Sequence, residues 1–184
     1  DAGHSAVSKA VVELLKMSGV TKIDYLVASH DHGDHIGGFS AIAENFEIGK
    51  IYTSVYGNKD KVFENVKSKT GAKRYYLMRG DSLDIGEVHI DILHPSFDVE
   101  TYRKLKEEDR DTTENIRLAN NNSLVMKFTY GESTALFVGD LYVPGETEMV
   151  KEYGDELKAD LLKIPHHGES TSHSEEFVKA VSAK

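Results

Sequence analysis

The stretch HDHGDHIGG at residues 30–38 decides how this chain is interpreted. It comes directly after the apolar run IDYLVA at residues 23–28, which predicts a buried strand. Side chains that can bind metal ions are crowded into six positions, and they are His30, His32, Asp34 and His35. A polar surface loop that happens to contain histidine is the alternative reading, but three His and two Asp in six residues behind an apolar strand argue against it.

The spacing within this loop suits two neighbouring metal ions. Side chains two positions apart in an extended segment point the same way, so His30 and His32 can hold one ion together. Asp34 and His35 lie one step further, at the turn into a helix, and can reach a second ion. Imidazole and carboxylate donors suit zinc, manganese or iron. Three glycines are expected to let the loop turn tightly or the backbone approach closely, and they are Gly33, Gly37 and Gly38.

Two further polar clusters also follow short apolar strands. Asp140 comes after TALFVG at residues 134–139, and the pair His166-His167 comes after LLKI at 161–164. Taken alone, Asp140 reads as an ordinary turn residue and the histidines as a surface pair. Loops at strand ends are where a rigid scaffold presents functional groups, so we expect the three clusters to converge.

Composition limits the remaining possibilities. A length of 184 residues with 39% hydrophobic residues favours a single domain with a true core. There is no cysteine, which excludes disulfides, thiolate zinc sites and cysteine nucleophiles within this sequence. A net charge of −9 argues against non-specific binding of nucleic acid, although bound cations would place positive charge where an anionic substrate must sit.

These motifs together resemble the metallo-β-lactamase superfamily. HDHGDHIGG matches its HxHxDH signature, and the resemblance also covers DAG at residues 1–3, FVGD at 137–140 and LLKIPHHG at 161–168. Within that superfamily, NNNSLVMKF at 120–128 and KADLLKIPHHGESTS at 158–172 are similar to the hydrolase domain of ComEC-type competence proteins. Teichoic-acid phosphorylcholine esterases look similar too.

The resemblance implies a fold and a domain organisation. The fold is an α/β four-layer sandwich of αβ/βα type with two mixed β-sheets. Residues 1–184 then form one metallo-β-lactamase-like domain, whose ends are truncated or belong to a larger protein.

The resemblance also assigns the ligands of two divalent ions, with Zn or Mn expected and Fe as a further option. Metal one takes His30 and His32, metal two takes Asp34 and His35, and Asp140 bridges them. His167 completes metal two, with His166 as the alternative. Asp1 orients the histidine loop from behind the ligands. The residues expected to act in catalysis are Asp34, His35 and Asp140.

The activity implied is hydrolysis of a phosphodiester by a metal-bridging hydroxide. The substrate is an anionic phosphoester, either DNA or a phosphocholine-bearing polymer; lactones and thioesters are alternatives within the same fold. A non-catalytic metal-binding interaction domain is the alternative of another class. The resemblance favours an extracellular or cell-surface location, the sequence shows no direct membrane contact, and it does not fix the oligomeric state.

One departure from the family pattern stands out. Many members carry a third-motif His before the strand predicted to begin near Ser123, where this chain has Asn120, Asn121 and Asn122. Metal one therefore lacks a ligand. The Asn run is either a turn or a patch that faces the substrate, and His173 is a candidate for the missing ligand of metal one.

The serines near residues 172–174 are expected to cap the last helix.

Overall fold

The structure is a computed structural model that describes residues 1–56, 60–107 and 112–183. These residues divide into two units, Asp1–Tyr76 and Leu77–Lys184. Whether they behave as the single domain expected from the sequence stays a prediction. Among the described residues, no helix combines the length and the apolar character that crossing a membrane requires.

The first unit is built on a three-stranded sheet in the order β1-β2-β3. Its strands are β1 (Lys22–Ala28), β2 (Glu47–Ser54) and β3 (Lys73–Leu77), and its helices are α1 (Ser8–Met17), α2 (Gly33–Ile36), α3 (Phe39–Asn45) and α4 (Asp60–Thr70). Because β1 and β2 pair in parallel, the chain must cross over between them, and it does so through α2 and α3. Phe39, Ile51 and Phe63 lie at the centre of the apolar core. The histidine loop therefore leaves the carboxyl end of β1, next to this core.

The second unit contains a mixed five-stranded sheet in the order β4-β5-β6-β7-β8. Its strands are β4 (Ser82–Ile85), β5 (Val88–His94), β6 (Val125–Tyr130), β7 (Ser133–Phe137) and β8 (Leu161–Lys163). Its helices are α5 (Val99–Glu107), α6 (Thr113–Asn121), α7 (Val143–Tyr153) and α8 (Glu175–Val181). The strands pair antiparallel except β7 and β8, which pair in parallel. Parallel pairing brings the carboxyl ends of β7 and β8 to one edge, so the loops that carry Asp140 and His166 leave the sheet side by side.

The sequence predicted most of these elements within a few residues. The sequence pattern predicts a strand at residues 50–54, which in the structure begins three residues earlier, at Glu47. It also predicts a helix from Thr147, which begins four residues earlier, at Val143. It misses β3 and β4, whose residues KRYYL and SLDI carry too little apolar alternation. A helix predicted at residues 58–70 and a partly helical stretch predicted around EEDRD at 107–111 fall partly outside the described residues, and of EEDRD only Glu107 is described.

The chain start packs tightly against the histidine loop. The Ala2 amide donates to the His35 carbonyl at 2.7 Å, and the Gly38 amide donates to the Gly3 carbonyl at 3.0 Å. A Cβ on Gly38 would lie 2.4 Å from the Ala2 carbonyl oxygen. A Cβ on Gly37 would lie 2.3 Å from the Gly33 carbonyl oxygen. The predicted close approach at Gly37 and Gly38 is confirmed.

The expectation that Gly33 is needed for the loop to turn tightly was wrong. A Cβ there would meet nothing within 4 Å, and its backbone needs no positive φ.

Replacing Gly38 with alanine is expected to destabilise the protein by about 1–3 kcal/mol, because the added methyl would overlap a backbone carbonyl that cannot turn aside. Urea unfolding of Gly38→Ala measures the loss. Gly33→Ala is the matched control, because Gly33 begins α2 in the same loop and has room for a Cβ. This variant should leave the free energy of unfolding unchanged or slightly raised. Equal stability of the two variants would contradict this account of the packing.

Candidate functional site

Three imidazole rings meet in the loop after β1. His30 and His35 are buried, at 2% and 4% exposed, and their ring centroids are 4.1 Å apart. The ring of His32 lies 4.6 Å from that of His30. The Nε2 atom of His35 is 3.5 Å from Oδ2 of Asp34. In the first unit the structure thus brings together all four ligands predicted from the HDHGDH motif.

The carboxylate of Asp1 holds this loop in place. Its Oδ1 accepts a hydrogen bond from the Ser29 amide at 2.7 Å, and its Oδ2 accepts one from the Ser29 hydroxyl at 2.9 Å. Oδ2 also lies 3.0 Å from Nδ1 of His35. An imidazole whose Nδ1 donates to a carboxylate presents Nε2 as its coordinating atom, and here Nε2 faces Asp34. The structure thus shows the contact of Asp1 with the histidine loop, and its role in orienting metal ligands stays a prediction.

In the second unit, Asp140 lies beside the histidine pair. Its side chain is buried, and its amide donates to the Ser123 hydroxyl at 3.1 Å. Oδ2 of Asp140 is 3.6 Å from Nε2 of His167 and 3.9 Å from Nε2 of His166. The amide of His166 donates to the carbonyl of Gly139, which ties the two loops together. Both histidines proposed from the sequence therefore approach the carboxylate proposed as the bridge.

The backbone at the histidine pair is unusual. His166, His167 and Gly168 have φ angles of +45°, +53° and +88°, so three consecutive residues are left-handed. A non-glycine residue in this region costs on the order of 1–3 kcal/mol and is typically found where function requires it. Nδ1 of His166 lies 2.6 Å from the Thr171 hydroxyl, which directs Nε2 of that ring toward Asp140.

The donor set in each unit fits a metal ion. Tetrahedral coordination with bonds of 2.0–2.1 Å places neighbouring ligand atoms about 3.4 Å apart. The spacings of 3.5 Å between His35 and Asp34 and of 3.6 Å between His167 and Asp140 are close to that value. The donors are imidazole nitrogen and carboxylate oxygen, which suit zinc, manganese and iron.

The three asparagines that replace the third-motif histidine have different surroundings. Oδ1 of Asn121 accepts from the Gly145 amide, and Nδ2 of Asn122 donates to the Leu118 carbonyl at the end of α6. Asn120 is 2% exposed, and its Nδ2 donates to the Tyr142 hydroxyl at 2.9 Å. Asn121 and Asn122 thus make the turn that the sequence suggested, and Asn120 points into the interior.

The histidines outside the motifs, which the sequence does not suggest as metal ligands, have structural partners. His4 accepts a hydrogen bond from the Ala6 amide, and buried His94 lies 2.8 Å from the Asn121 carbonyl. Burial lowers the pKa of His94, so its ring is neutral near pH 7. Hydrogen bonds to Asp84 and Asp91 raise the pKa of exposed His89.

Sequence reasoning missed one residue that shapes the second loop. The carboxylate of Glu146 on α7 is fully buried and accepts hydrogen bonds from the amides of His173 and Ser174. Glutamate is common on helix surfaces, so only its burial reveals the role. The predicted capping of the last helix is confirmed, since the Ser174 hydroxyl accepts from the Phe177 amide. The Ser172 hydroxyl instead donates to the Leu141 carbonyl.

Comparison with known proteins agrees with this geometry. The profile described as the metallo-beta-lactamase superfamily matches residues 14–184. Competence protein ComA of Neisseria gonorrhoeae is 30% identical over 179 residues, which cover 97% of this chain and 21% of ComA. ComE operon protein 3 of Bacillus subtilis is 27% identical over 96% of this chain and 21% of its own length. The chain therefore spans about a fifth of these curated relatives.

A solved structure shows the same fold. The metallo-beta-lactamase fold protein YhfI of Bacillus subtilis superposes with a TM-score of 0.55 at 19% identity, covering 95% of this chain and 67% of YhfI. The α/β fold class predicted from the sequence is confirmed.

Replacing Glu146 with glutamine is expected to loosen the segment after the histidine pair. The amide group of glutamine can accept from one of the two backbone N–H groups but must face the other with its own N–H, which costs about 1–3 kcal/mol in a buried site. Urea unfolding and hydrogen exchange of the Ser174 amide report the loss. Glu148→Gln is the control, because Glu148 lies on the same helix and is 44% exposed. Protection of Ser174 that is equal in both variants would refute this role.

Proposed function

The chain belongs to the metallo-beta-lactamase superfamily, and we infer from its two ligand sets that it is a metal-dependent hydrolase of phosphodiesters. The observation that carries this proposal is the complete HDHGDH loop, in which the rings of His30 and His35 are buried and the Asp1 carboxylate lies at hydrogen-bond distance from the ring of His35. A loop that had lost its function would not need a carboxylate placed to fix one nitrogen of a buried imidazole. The superfamily fold accounts for the scaffold, and these side chains account for the chemistry.

The residues that would hold two divalent ions come from both loops. In the first unit His30, His32, Asp34 and His35 would offer ligand atoms, and in the second unit Asp140 and His167 would do so. Bound divalent ions would supply a strong electrophile and a water whose pKa is low enough to lose a proton near pH 7. The carboxylates of Asp34 and Asp140 retain the cations by charge. Asp1 and Thr171 orient the rings of His35 and His166.

The chain's own side chains do not need to provide a nucleophile. The sequence has no cysteine and no G-x-S-x-G elbow, the two arrangements that most often attack an ester directly. If an activated water attacks the ester, the protein itself has to bind the metal ions and the substrate and to hold them in the orientation that the attack requires. The buried donors in each loop are suited to these tasks.

For the substrate we propose an anionic phosphodiester, with DNA as the first choice. The relatives named as competence proteins support this choice, as does the similarity of residues 120–128 and 158–172 to the ComEC-type branch. The net charge of −9 means that attraction for a polyanion must come from cations at the site rather than from the protein surface. Phosphorylcholine esters, lactones and thioesters are the other substrates that a test must include.

Phosphodiesterase activity should be lost when Asp34 is replaced with alanine. Removing this carboxylate takes a charged ligand from an ion that must lower the pKa of water, so turnover of bis-p-nitrophenyl phosphate with Mn²⁺ or Zn²⁺ should fall at least a hundredfold. Asp84→Asn is the control, because Asp84 is an exposed carboxylate on β4 and should leave the rate unchanged.

Retained turnover in Asp34→Ala would show that the site is wrongly assigned. Cleavage of lactones or thioesters without cleavage of phosphodiesters would overturn the substrate. Bound metal without turnover of any substrate would favour a non-catalytic metal-binding domain.

The two metal positions should differ in affinity, and metal should stabilise the fold. Metal one has His30, His32 and the bridge and lacks the third-motif histidine, whereas metal two has a full set. Calorimetric titration of metal-free protein is expected to show one tight and one weaker ion, with activity following the weaker one. The melting temperature should rise with added Zn²⁺ or Mn²⁺, since ligands that bind only the folded state shift the unfolding equilibrium. Two equally tight ions, or no shift in melting temperature, would be inconsistent with this ligand assignment.

A further inference from the structure

Asn120 carries a buried oxygen atom that the hydrogen bonding of the described residues leaves without a partner. The residue is 2% exposed, and its Oδ1 is enclosed with no hydrogen-bond donor in reach. An unsatisfied buried carbonyl costs about 1–3 kcal/mol, so native structures seldom keep one without a ligand for it. In the structure Nδ2 donates to the Tyr142 hydroxyl at 2.9 Å, and the oxygen points the other way.

The surroundings of Asn120 lead directly to Asp140. The Asn120 carbonyl accepts from the Ser123 amide, and the Ser123 hydroxyl accepts from the Asp140 amide. Tyr142, which holds the Asn120 side chain, lies against the ring of His166 with centroids 5.0 Å apart. His166 in turn has its Nε2 3.9 Å from Oδ2 of Asp140. Within the second unit, hydrogen bonds and a ring contact therefore link Asn120 to Asp140 and His166, two of the proposed metal ligands.

The side chains of the two neighbouring asparagines are already used in other contacts. The Oδ1 atom of Asn121 already accepts from the Gly145 amide, and the side chain of Asn122 closes the end of α6. A Cβ on Gly145 would lie 2.9 Å from Oδ1 of Asn121, so that contact is tightly packed. Of the three residues in the run, only Asn120 has a spare acceptor in a buried setting.

We propose that Oδ1 of Asn120 is a metal ligand that stands in for the missing third-motif imidazole, and that Tyr142 positions it. A buried carbonyl oxygen without a hydrogen-bond donor attracts a cation and repels an anion. Amide oxygen is a harder donor than imidazole and is better suited to manganese than to zinc. The presence of Asn where the family pattern has His thus changes which metal binds best at metal one, the weaker site, and does not remove that site. This inference rests on the proposed metal-dependent function.

The test compares metal affinities across replacements of Asn120. Metal-free wild type and the variants Asn120→Leu, Asn120→Asp and Asn120→His are titrated calorimetrically with MnCl₂ and with ZnCl₂, and bound Mn²⁺ is followed by electron paramagnetic resonance. Asn120→Leu should weaken the second Mn²⁺ at least tenfold, and Asn120→Asp should restore or tighten it. Asn120→His should shift the ratio of Zn²⁺ to Mn²⁺ affinity at least tenfold toward Zn²⁺. If the leucine variant does not fold, the aspartate and histidine variants decide.

Two control variants distinguish an effect on the position of the Asn120 side chain from a general loss of structure. Tyr142→Phe removes the hydroxyl that holds Nδ2 and should weaken the second Mn²⁺ by less than Asn120→Leu does, with an altered Mn²⁺ spectrum. Asn122→Ala changes an asparagine of the same run and should leave both affinities unchanged.

Affinities in Asn120→Leu within twofold of wild type would overturn the role of Asn120 and leave the proposed function standing. Asn120→Asp with wild-type metal affinity and a raised KM for the phosphodiester would show that the amide nitrogen binds the anion instead. Wild type that binds no metal would overturn both the role and the function.

Discussion

The charge-assisted hydrogen bond between a carboxylate and backbone N–H groups is the interaction on which both ligand loops depend. In the first unit, Asp1 accepts from the Ser29 amide and holds the ring of His35. In the second, Glu146 accepts from the amides of His173 and Ser174. Neither carboxylate is assigned to a metal. Each fixes backbone that would otherwise leave its donors unpaired, and the ligands on that backbone gain a defined direction.

The left-handed backbone at His166, His167 and Gly168 shows why such anchoring is needed. Left-handed conformations are unfavourable for residues with a Cβ, and a free loop would relax out of them. Three contacts hold the segment: the His166 amide on the Gly139 carbonyl, the Thr171 hydroxyl on the His166 ring, and Glu146 on the amides that follow. The free energy that this conformation costs is offset by the packing of α7 and α8 around Met149 and Phe177. The unfavourable backbone conformation at the histidine pair therefore depends on the hydrogen bonds and the packed helices that hold it.

How far the sequence could predict this site depends on whether a role is local. Six consecutive positions after an apolar strand contain His30, His32, Asp34 and His35, so their proximity follows from the chain itself. Asp1 could be placed only through the family resemblance. Glu146 acts on a residue 27 positions away, and Tyr142 acts on one 22 positions away. Both are common residue types at unremarkable places on the chain, and burial is what distinguishes them.

The fold shows the same limit. Strands β5 and β6 were predictable because apolar residues alternate along them. β3 and β4 were not, because KRYYL and SLDI lie on strands that are largely exposed, and a strand that buries little leaves no periodic signal. The charge pattern of the whole chain was informative in another way. A net charge of −9 is what the sequence reports, whereas the sign of the field at the site depends on cations that the sequence implies only through their ligands.

Replacement of an imidazole by an amide oxygen has a consequence for how such a site treats its substrate. An imidazole binds zinc firmly and leaves little reason for the ion to exchange ligands. A neutral oxygen donor binds more weakly, so a phosphate oxygen of the substrate competes with it on more equal terms. In a chain as acidic as this one, the proposed anionic substrate would be attracted chiefly by the ion itself. A weakly held ion with room in its coordination shell would therefore be better matched to the proposed phosphodiester than a saturated one, and the run Asn120 to Asn122 would then reflect retained function rather than decay of the site.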